Sequence, residues 1–259
     1  MDVLVPHSLE EALQLKAARP DAVPIAGGTD VMVAVNFDRL RPPALLDLGG
    51  VPELRGWSRE NGRLRLGAAL TYTEAMEEPL ASLVPALAEA SRTVGSPPIR
   101  NRATIGGNLG TASPAGDALP PLLVGNAHVV VASERGERVL PLGEFLVGPK
   151  RNALAPDELI VAVTLDAGGP QTFMKVGPRN AMVIAVVSLA LRVDGEVRAA
   201  FGSAGPVPTL VRGDLSRVGE FPDAVAAAAA PIDDVRGTAA YRRHALRVLT
   251  KRALDRVLA

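Results

Sequence analysis

Apolar residues fall in short runs separated by Gly and Pro along this chain, a rhythm that predicts many short elements joined by tight turns. Val3–Val5 predicts a strand and Leu9–Ala18 a helix, with Ser8 and Glu11 at capping-box spacing in front of it. Val23–Ala26 is an apolar run that ends in Gly27-Gly28, and Leu45–Leu48 is a further buried strand before Gly49-Gly50. This β-α-β opening lacks the GxGxxG fingerprint of a dinucleotide-binding Rossmann unit. A strand follows at Arg63–Gly67, then a helix from Thr71, which has Glu74 at capping-box spacing, and another over Leu80–Ala90. Gly95–Pro121 is rich in Gly, Ser, Asn and Pro and reads as a long loop, followed by strands at Ala127–Ser133, Arg138–Leu140 and Leu159–Leu165. Gly168-Gly169-Pro170 is the best boundary. Beyond it come strands at Thr172–Val176, Ile184–Arg192 and Glu196–Ala200, a short Ala-rich helix at Ala224–Ala230, and a terminal helix at Thr238–Leu258. The helical spacing puts Tyr241, Ala245, Val248 and Leu249 on the core side of that last helix. Arg242, Arg243, Arg247 and Lys251 then form a basic face, which is either solvated or docks a partner.

Composition narrows the function. At 259 residues and 47% hydrophobic, the chain can bury a sizeable core. Lys plus Arg equals Asp plus Glu, at 28 each, which argues against general nucleic-acid binding. There are no cysteines, so disulfides, thiolate-held iron–sulfur clusters, cysteinyl flavin attachment and a Cys nucleophile are excluded within this chain. His7, His128 and His244 are far apart and have no metal-type spacing, so neither a metal site nor a His-based triad is expected. No apolar run reaches the roughly 18 residues of a membrane span. The first twenty residues do not read as a signal peptide, which makes the cytoplasm the expected location.

Two glycine-rich loops carry the candidate chemistry. In Pro24-Ile25-Ala26-Gly27-Gly28-Thr29-Asp30, paired glycines let the chain turn sharply and bring successive N–H groups against a ligand, a concavity suited to a pyrophosphate. Thr29 adds a hydroxyl, and Asp30, which would repel a phosphate, is expected to cap the following segment Val31–Asn36. Read alone, this loop is more readily a tight strand–helix turn with no ligand. The second loop, Ile99–Asp117, offers Thr104, Asn108, Thr111 and Ser113 as donors and Asp117 as an acceptor suited to a ribose hydroxyl. Read alone, it is either functional or an irregular surface connection. Together the loops could hold two parts of one extended ligand such as a dinucleotide.

AGGTD at 26–30 and ATIGGNLGTASPAGD at 103–117 resemble the two FAD-binding signatures of the medium, flavin-binding subunits of molybdenum hydroxylases. These include the carbon monoxide dehydrogenase medium subunit and the xanthine dehydrogenase flavin domain. Pro156–Ile160, Phe173–Val176 with Arg179, and Arg236–Arg242 extend the resemblance over nearly the whole chain. It implies an α+β fold of the vanillyl-alcohol oxidase/MurB-like (PCMH-type) class. Residues 1–169 would form the FAD-binding domain, with α/β subdomains of about 1–55 and 56–169, and 170–259 an α+β C-terminal domain. It further implies that Pro24, Ile25, Ala26, Gly27, Gly28, Thr29, Asp30 and Val31 contact the pyrophosphate, with Val94 nearby. Thr104, Ile105, Gly106, Gly107 and Asn108 would hold the middle of the cofactor, with Thr111 a further donor, and Asp117 would meet the adenosine ribose. Ile160 would pack near the ring system and Lys175 would supply a polar contact, although on the residues alone Ile160 is equally core and Lys175 equally a solvated edge-strand lysine. A cation at that place would stabilise the reduced flavin.

The resemblance also implies partners: a small iron–sulfur subunit, a large subunit carrying the molybdenum cofactor, and an external electron acceptor. No catalytic residue is expected in this chain, because the cofactor carries the chemistry. Two rivals stand beside this reading. A standalone flavoenzyme would need its own base, for which Tyr72, Arg179 and Tyr241 are candidates; an FAD-free assembly scaffold would need none. The stretch Pro206–Leu215 departs from the family pattern of an Arg and a Glu after a Pro-rich turn, and the absence of Cys excludes the extra cluster that some relatives carry.

Overall fold

The computed structural model describes residues 1–259 as three main sheets and one two-stranded hairpin, with helices between and around them. The first lobe runs β1 (Asp2–Leu4), α1 (Leu9–Ala18), β2 (Val23–Ile25), α2 (Val31–Asn36) and β3 (Ala44–Asp47). Its three strands are parallel in the order β1-β3-β2, so β2 delivers the first glycine loop at its carboxyl end, the usual ligand side of a parallel sheet. Ser8 caps α1 by accepting from the Glu11 amide at 3.2 Å. Glu11 closes the box one residue earlier than expected, accepting from the His7 amide at 2.7 Å.

The second lobe contains β4 (Trp57–Glu60), β5 (Arg63–Gly67), α3 (Leu80–Leu83), α4 (Pro85–Arg92), α5 (Pro97–Arg100), α6 (Ile105–Thr111) and α7 (Leu119–Val124). It continues through β6 (His128–Ser133), β7 (Gly136–Pro141), α8 (Leu142–Phe145), the hairpin strands β8 (Leu146–Gly148) and β9 (Arg151–Asn152), and β10 (Leu159–Leu165). Five strands pair antiparallel in the order β4-β5-β10-β6-β7. The register of β10 against β6 shifts between Ile160 and Ala162, a bulge of the kind that re-aims neighbouring side chains.

Three expectations fail here for local reasons. The helix from Thr71 is a single 3₁₀ turn at Glu74–Met76, although the box forms, with Glu74 accepting from the Thr71 amide at 2.7 Å. The helix over Leu80–Ala90 is two helices, because Pro85 forces Val84 out of the helical region to φ −137°. The long loop Gly95–Pro121 contains α5, α6 and the start of α7. Its glycines lower helix propensity, but tertiary packing overrides them: a Cβ on Gly106 would stand 2.6 Å from the Ala68 carbonyl oxygen, so only glycine lets α6 seat there.

The third sheet is the antiparallel meander β11 (Gln171–Val176), β12 (Val187–Asp194), β13 (Glu196–Gly202) and β14 (Thr209–Gly213), followed by α9 (Phe221–Ala228) and α10 (Ala239–Leu258). Both faces are covered. Val187, Leu189 and Leu191 pack with Leu246 and Leu249 of α10, while Ala190 and Ala200 join the core of the second lobe with Leu119 and Leu122 of α7. Two-sided burial explains why β12 reads as one apolar run rather than an alternation. Tyr241 was expected to face the core from α10 and Arg242 the solvent; the structure reverses them, with Tyr241 48% exposed and Arg242 1%. Periodicity places a narrow stripe only to within one residue, and here Arg242 finds buried acceptors that Tyr241 does not.

Candidate functional site

One cleft of about 1230 Å³ runs between the lobes, and both glycine-rich loops line it. Its volume exceeds the roughly 300–1,000 Å³ of ordinary small-molecule sites, which suits an extended ligand. Of the residues singled out in the sequence, Pro24 to Val31, Val94, Thr104, Gly106, Gly107, Asn108, Thr111, Asp117 and Ile160 lie on its walls. Ile105 does not: it is fully buried in the core of the second lobe, where it anchors α6. Lys175 stands behind Asp117 rather than on the wall.

The first loop leaves β2 and turns at Gly28, whose φ of +74° favours glycine. The backbone amides of Gly27, Gly28, Thr29 and Asp30 donate to no protein group. Four consecutive unpartnered donors on a cleft wall are the donor set that an anion cradle requires. Gly27 serves a different purpose: a Cβ there would fall 1.9 Å from the Arg102 carbonyl oxygen, so this glycine lets the two loops touch. The Asp30 side chain does not cap α2 as expected. It accepts instead from the Thr111 hydroxyl at 2.8 Å, 81 residues away, and latches the first loop to the end of α6. A tertiary hydroxyl competes successfully with the local amides that a cap would use.

In the second loop Thr104 caps α6, accepting from the Gly107 amide at 3.0 Å. The amides of Ile105 and Gly106 go to the Leu70 and Ala68 carbonyls, so the start of α6 is tied to the protein. What α6 turns to the cleft is side chain and glycine surface, with Asn108 and Thr111 as the polar groups. The β8–β9 hairpin holds the far end, Asn152 donating to the Gly110 carbonyl at 2.8 Å. Ile160, beside the β10 bulge, supports this floor; a Cβ on Gly110 would touch its Cδ1 at 3.7 Å.

Asp117 is 7% exposed and accepts from Lys175 Nζ at 2.6 Å and from the Thr93 hydroxyl at 3.3 Å. Lys175 also donates to the Thr93 carbonyl, so its ammonium is already partnered. Burial raises the Asp117 carboxyl above its ordinary value even though Lys175 pulls it down. A folded-state pKa above the unfolded one gives stability that is complete below the usual carboxylate range and lost as pH rises through the folded value. Lys175→Met removes the downward pull, so the loss should extend to higher pH. Thermal melting from about pH 4 to 8 reads this directly: the variant should fall progressively further behind the unaltered chain as pH rises. Parallel curves would show that the pair is not electrostatically coupled.

Several wall residues were not anticipated. Ser203, Gly205 and Pro206 after β13, and Ile232, Arg236 and Arg242 before and within α10, bring the third sheet's lobe to the cleft. The Arg236–Arg242 motif was visible in the sequence, but nothing in its spacing tells which arginine turns inward. Tyr72 lines the cleft, fully buried, and burial, followed by the Asp117 and Asp30 charges, pushes its hydroxyl well above the ordinary value. It stays protonated at neutral pH and is a poor base. Arg179 bonds within its own loop to the Ala181 and Met182 carbonyls, and neither it nor Tyr241 reaches the cleft. No histidine lines it, and no three acidic or histidine side chains gather as a metal site.

These walls fit a dinucleotide. A cradle of free amides suits a pyrophosphate, and Asp117 keeps one carboxylate oxygen, Oδ1, without a partner, as do Asn108 Oδ1 and Tyr72 Oη. Buried polar atoms are rarely left unpaired, and their concentration along one cleft points to a polar ligand.

A family model described as the FAD binding domain in molybdopterin dehydrogenase matches residues 1–166. The chain is 31% identical to the xanthine dehydrogenase FAD-binding subunit of Escherichia coli O157:H7, over 97% of this chain and 94% of that protein. It is 37% identical to the nicotinate dehydrogenase FAD-subunit of Eubacterium barkeri, over 74% and 69% respectively. Among solved structures, quinoline 2-oxidoreductase from Pseudomonas putida 86 superposes with a TM-score of 0.92 at 25% identity, covering 99% of this chain and 96% of that one. Carbon monoxide dehydrogenase from Hydrogenophaga pseudoflava gives 0.90 at 25% identity, covering 100% and 97%. The PCMH-type α+β architecture expected from the sequence is the one these structures share.

Proposed function

The chain belongs to the FAD-binding medium subunits of the molybdenum hydroxylases, components of multi-subunit oxidoreductases, and from that membership we propose that it holds one FAD non-covalently and relays electrons. The observation that carries this reading is the meeting of both glycine-rich loops on one cleft, with four free amides in a row on the first. Gly27, Gly28, Thr29 and Asp30 would cradle the pyrophosphate through their amides. Thr104, Asn108 and Thr111 would border the middle of the cofactor, and Ile160 would support it from the β10 side. Asp117, oriented by Lys175 and Thr93, would offer its unpaired oxygen to a ribose hydroxyl. Bound FAD would supply the redox chemistry, taking electrons from iron–sulfur clusters on a small partner subunit and giving them to an external acceptor. Hydroxylation itself would take place at the molybdenum cofactor of a large partner subunit.

The chain's own residues would orient the cofactor and exclude water; none is placed to act as acid or base. Non-covalent binding is supported by the absence of cysteine and of any histidine on the cleft. The reading divides the chain at Gly168-Gly169-Pro170, between the end of β10 at Leu165 and the start of β11 at Gln171. No helix is long and apolar enough to cross a membrane.

The test begins with the chain purified alone. Its visible spectrum should be that of a flavin, and denaturation should release free FAD near one per chain, identified by chromatography. A chain that is empty and takes up no added FAD would overturn the reading in favour of a scaffold. A flavin-loaded chain that fails to associate with iron–sulfur and molybdenum subunits would favour a standalone flavoenzyme.

A further inference from the structure

The third wall of the cleft holds a charge arrangement that FAD binding by the two loops does not use. Asp234 is the single carboxylate between two guanidinium groups. Its Oδ2 accepts from Arg236 Nε and Nη2 at 3.0 and 2.7 Å. Its Oδ1 accepts from the Arg236 amide and from Arg242 Nη2. Two cations against one anion leave one positive charge over, and these three groups form no further ion pair within the protein. The carboxyl is correspondingly held far below the usual carboxylate range, chiefly by hydrogen bonding to Arg236. Neighbouring Asp233 accepts from the Ala239 amide and forms no ion pair with either arginine.

Arg242 is buried and spends Nη1 on the Ser203 carbonyl, while its Nε has no partner. Arg236 is the accessible one: its side chain is 33% exposed, it lines the cleft, and its Nη1 has no acceptor in the protein. Ser203 stands on the same wall in the left-handed region at φ +62°, with its Oγ buried and unpartnered. Apolar Ile232 and Ile184, both well exposed, flank this end of the cleft.

We propose that Arg236, backed by Arg242 and Ser203, is an oxyanion subsite for a phosphate-bearing nucleotide that enters the cleft beside FAD. The proposal rests on the FAD reading above. FAD carries two adjacent phosphates, and the amides of Gly27–Asp30 already offer them a cradle. A planar guanidinium with a free N–H and an uncompensated charge is the protein's usual answer to a further phosphate. Asp234 fixes the orientation of that guanidinium, and the isoleucines offer an apolar surface to the body of the ligand. Such a ligand is the chemical class expected of a dinucleotide electron acceptor rather than a quinone or oxygen.

The experiment is calorimetric titration of the full, FAD-loaded chain with ADP, with adenosine as the uncharged comparison. ADP should bind, and adenosine should bind at least about tenfold more weakly, since a charge-assisted phosphate contact carries most of the discrimination. Arg236→Gln should weaken ADP about 10- to 100-fold while the flavin spectrum and one-to-one FAD content stay unchanged. Arg236→Lys, which keeps the charge without the fork, should recover part of the loss. Equal ADP affinity in the glutamine variant, or no ADP binding by the unaltered chain, would overturn the proposal. FAD released by Arg236→Gln would also overturn it, because the phosphate served would then be the flavin cofactor's own. A chain that loads no FAD shows its defect before ADP is added, and in that case the parent reading fails and this one with it.

Discussion

Gly27→Ala is expected to abolish FAD uptake, with affinity reduced at least about 100-fold, equivalent to roughly 3 kcal/mol. The added Cβ would meet the Arg102 carbonyl oxygen at 1.9 Å, its carbon at 2.5 Å and the Ala103 nitrogen at 2.9 Å. All three are backbone atoms of the segment that leads into Thr104, so no side-chain rotation relieves the clash. Either the first loop or the stretch before α6 must move, and both carry ligand-facing groups. Overpacking of this kind also costs about 1–3 kcal/mol of stability.

Two neighbouring glycines make the comparison diagnostic. At Gly28 a Cβ meets only side-chain atoms, Ile25 Cδ1 at 3.3 Å and Met32 Cγ at 3.4 Å, and the cost is mainly that of holding φ at +74°, on the order of 1 kcal/mol. At Gly107 it meets Thr104 Oγ1 at 3.1 Å, and alanine's better helix propensity offsets part of that. The expected order of damage is Gly27 well ahead of Gly28, with Gly107 least. FAD stoichiometry after gel filtration and thermal melting with and without FAD measure it. A Gly27→Ala chain that binds FAD normally would show that close contact of the loops is not what builds the cleft.

Arg242→Ala should destabilise the fold by about 3–5 kcal/mol, the range seen when one partner of a buried, hydrogen-bonded charge is removed. Arg242 is the bulkiest of the fully buried side chains, and it joins the Ser203 carbonyl to Asp234 across 39 and 8 residues of chain. Truncation leaves a cavity and an unpaired carbonyl at the base of the third wall. Arg242→Lys keeps a charge but cannot make both bonds at once, so it should recover less than half of the loss. Asp234→Asn should destabilise too, and should couple with Arg242→Ala in a double-mutant cycle, whereas a distant change such as Gly28→Ala should be additive with it. Calorimetric melting is the readout; a variant melting within about two degrees of the unaltered chain, a shift worth less than roughly 1 kcal/mol, would remove Arg242 from this structural role.

Which parts of this molecule were legible beforehand follows from the range of the forces involved. Capping at Ser8, the span of α1, the strands at Arg63–Gly67 and Leu159–Leu165 and the glycine turn after β2 are local: a few adjacent residues decide them, and the structure has each where the sequence reading put it. The tie between Asp30 and Thr111, the contact that makes Gly27 obligatory and the helix within Gly95–Pro121 are not local. Each depends on a partner dozens of residues away, and a spacing rule reading inward from Asp30 finds only a cap.

The terminal helix shows the same limit at finer scale. Its span could be read from the chain; the choice of Arg242 over Tyr241 as the buried residue could not, because it depends on acceptors at Ser203 and Asp234. By itself, the chain of 259 residues carried its motifs, its lack of cysteine and hence the family and cofactor they imply. The tertiary structure alone decided that Asp117 reaches Lys175 and that the Ser203–Arg242 region forms a third wall with one positive charge left over. Short-range propensities are written in neighbouring residues, whereas electrostatic and hydrogen-bond partners across a cleft exist only once distant segments pack.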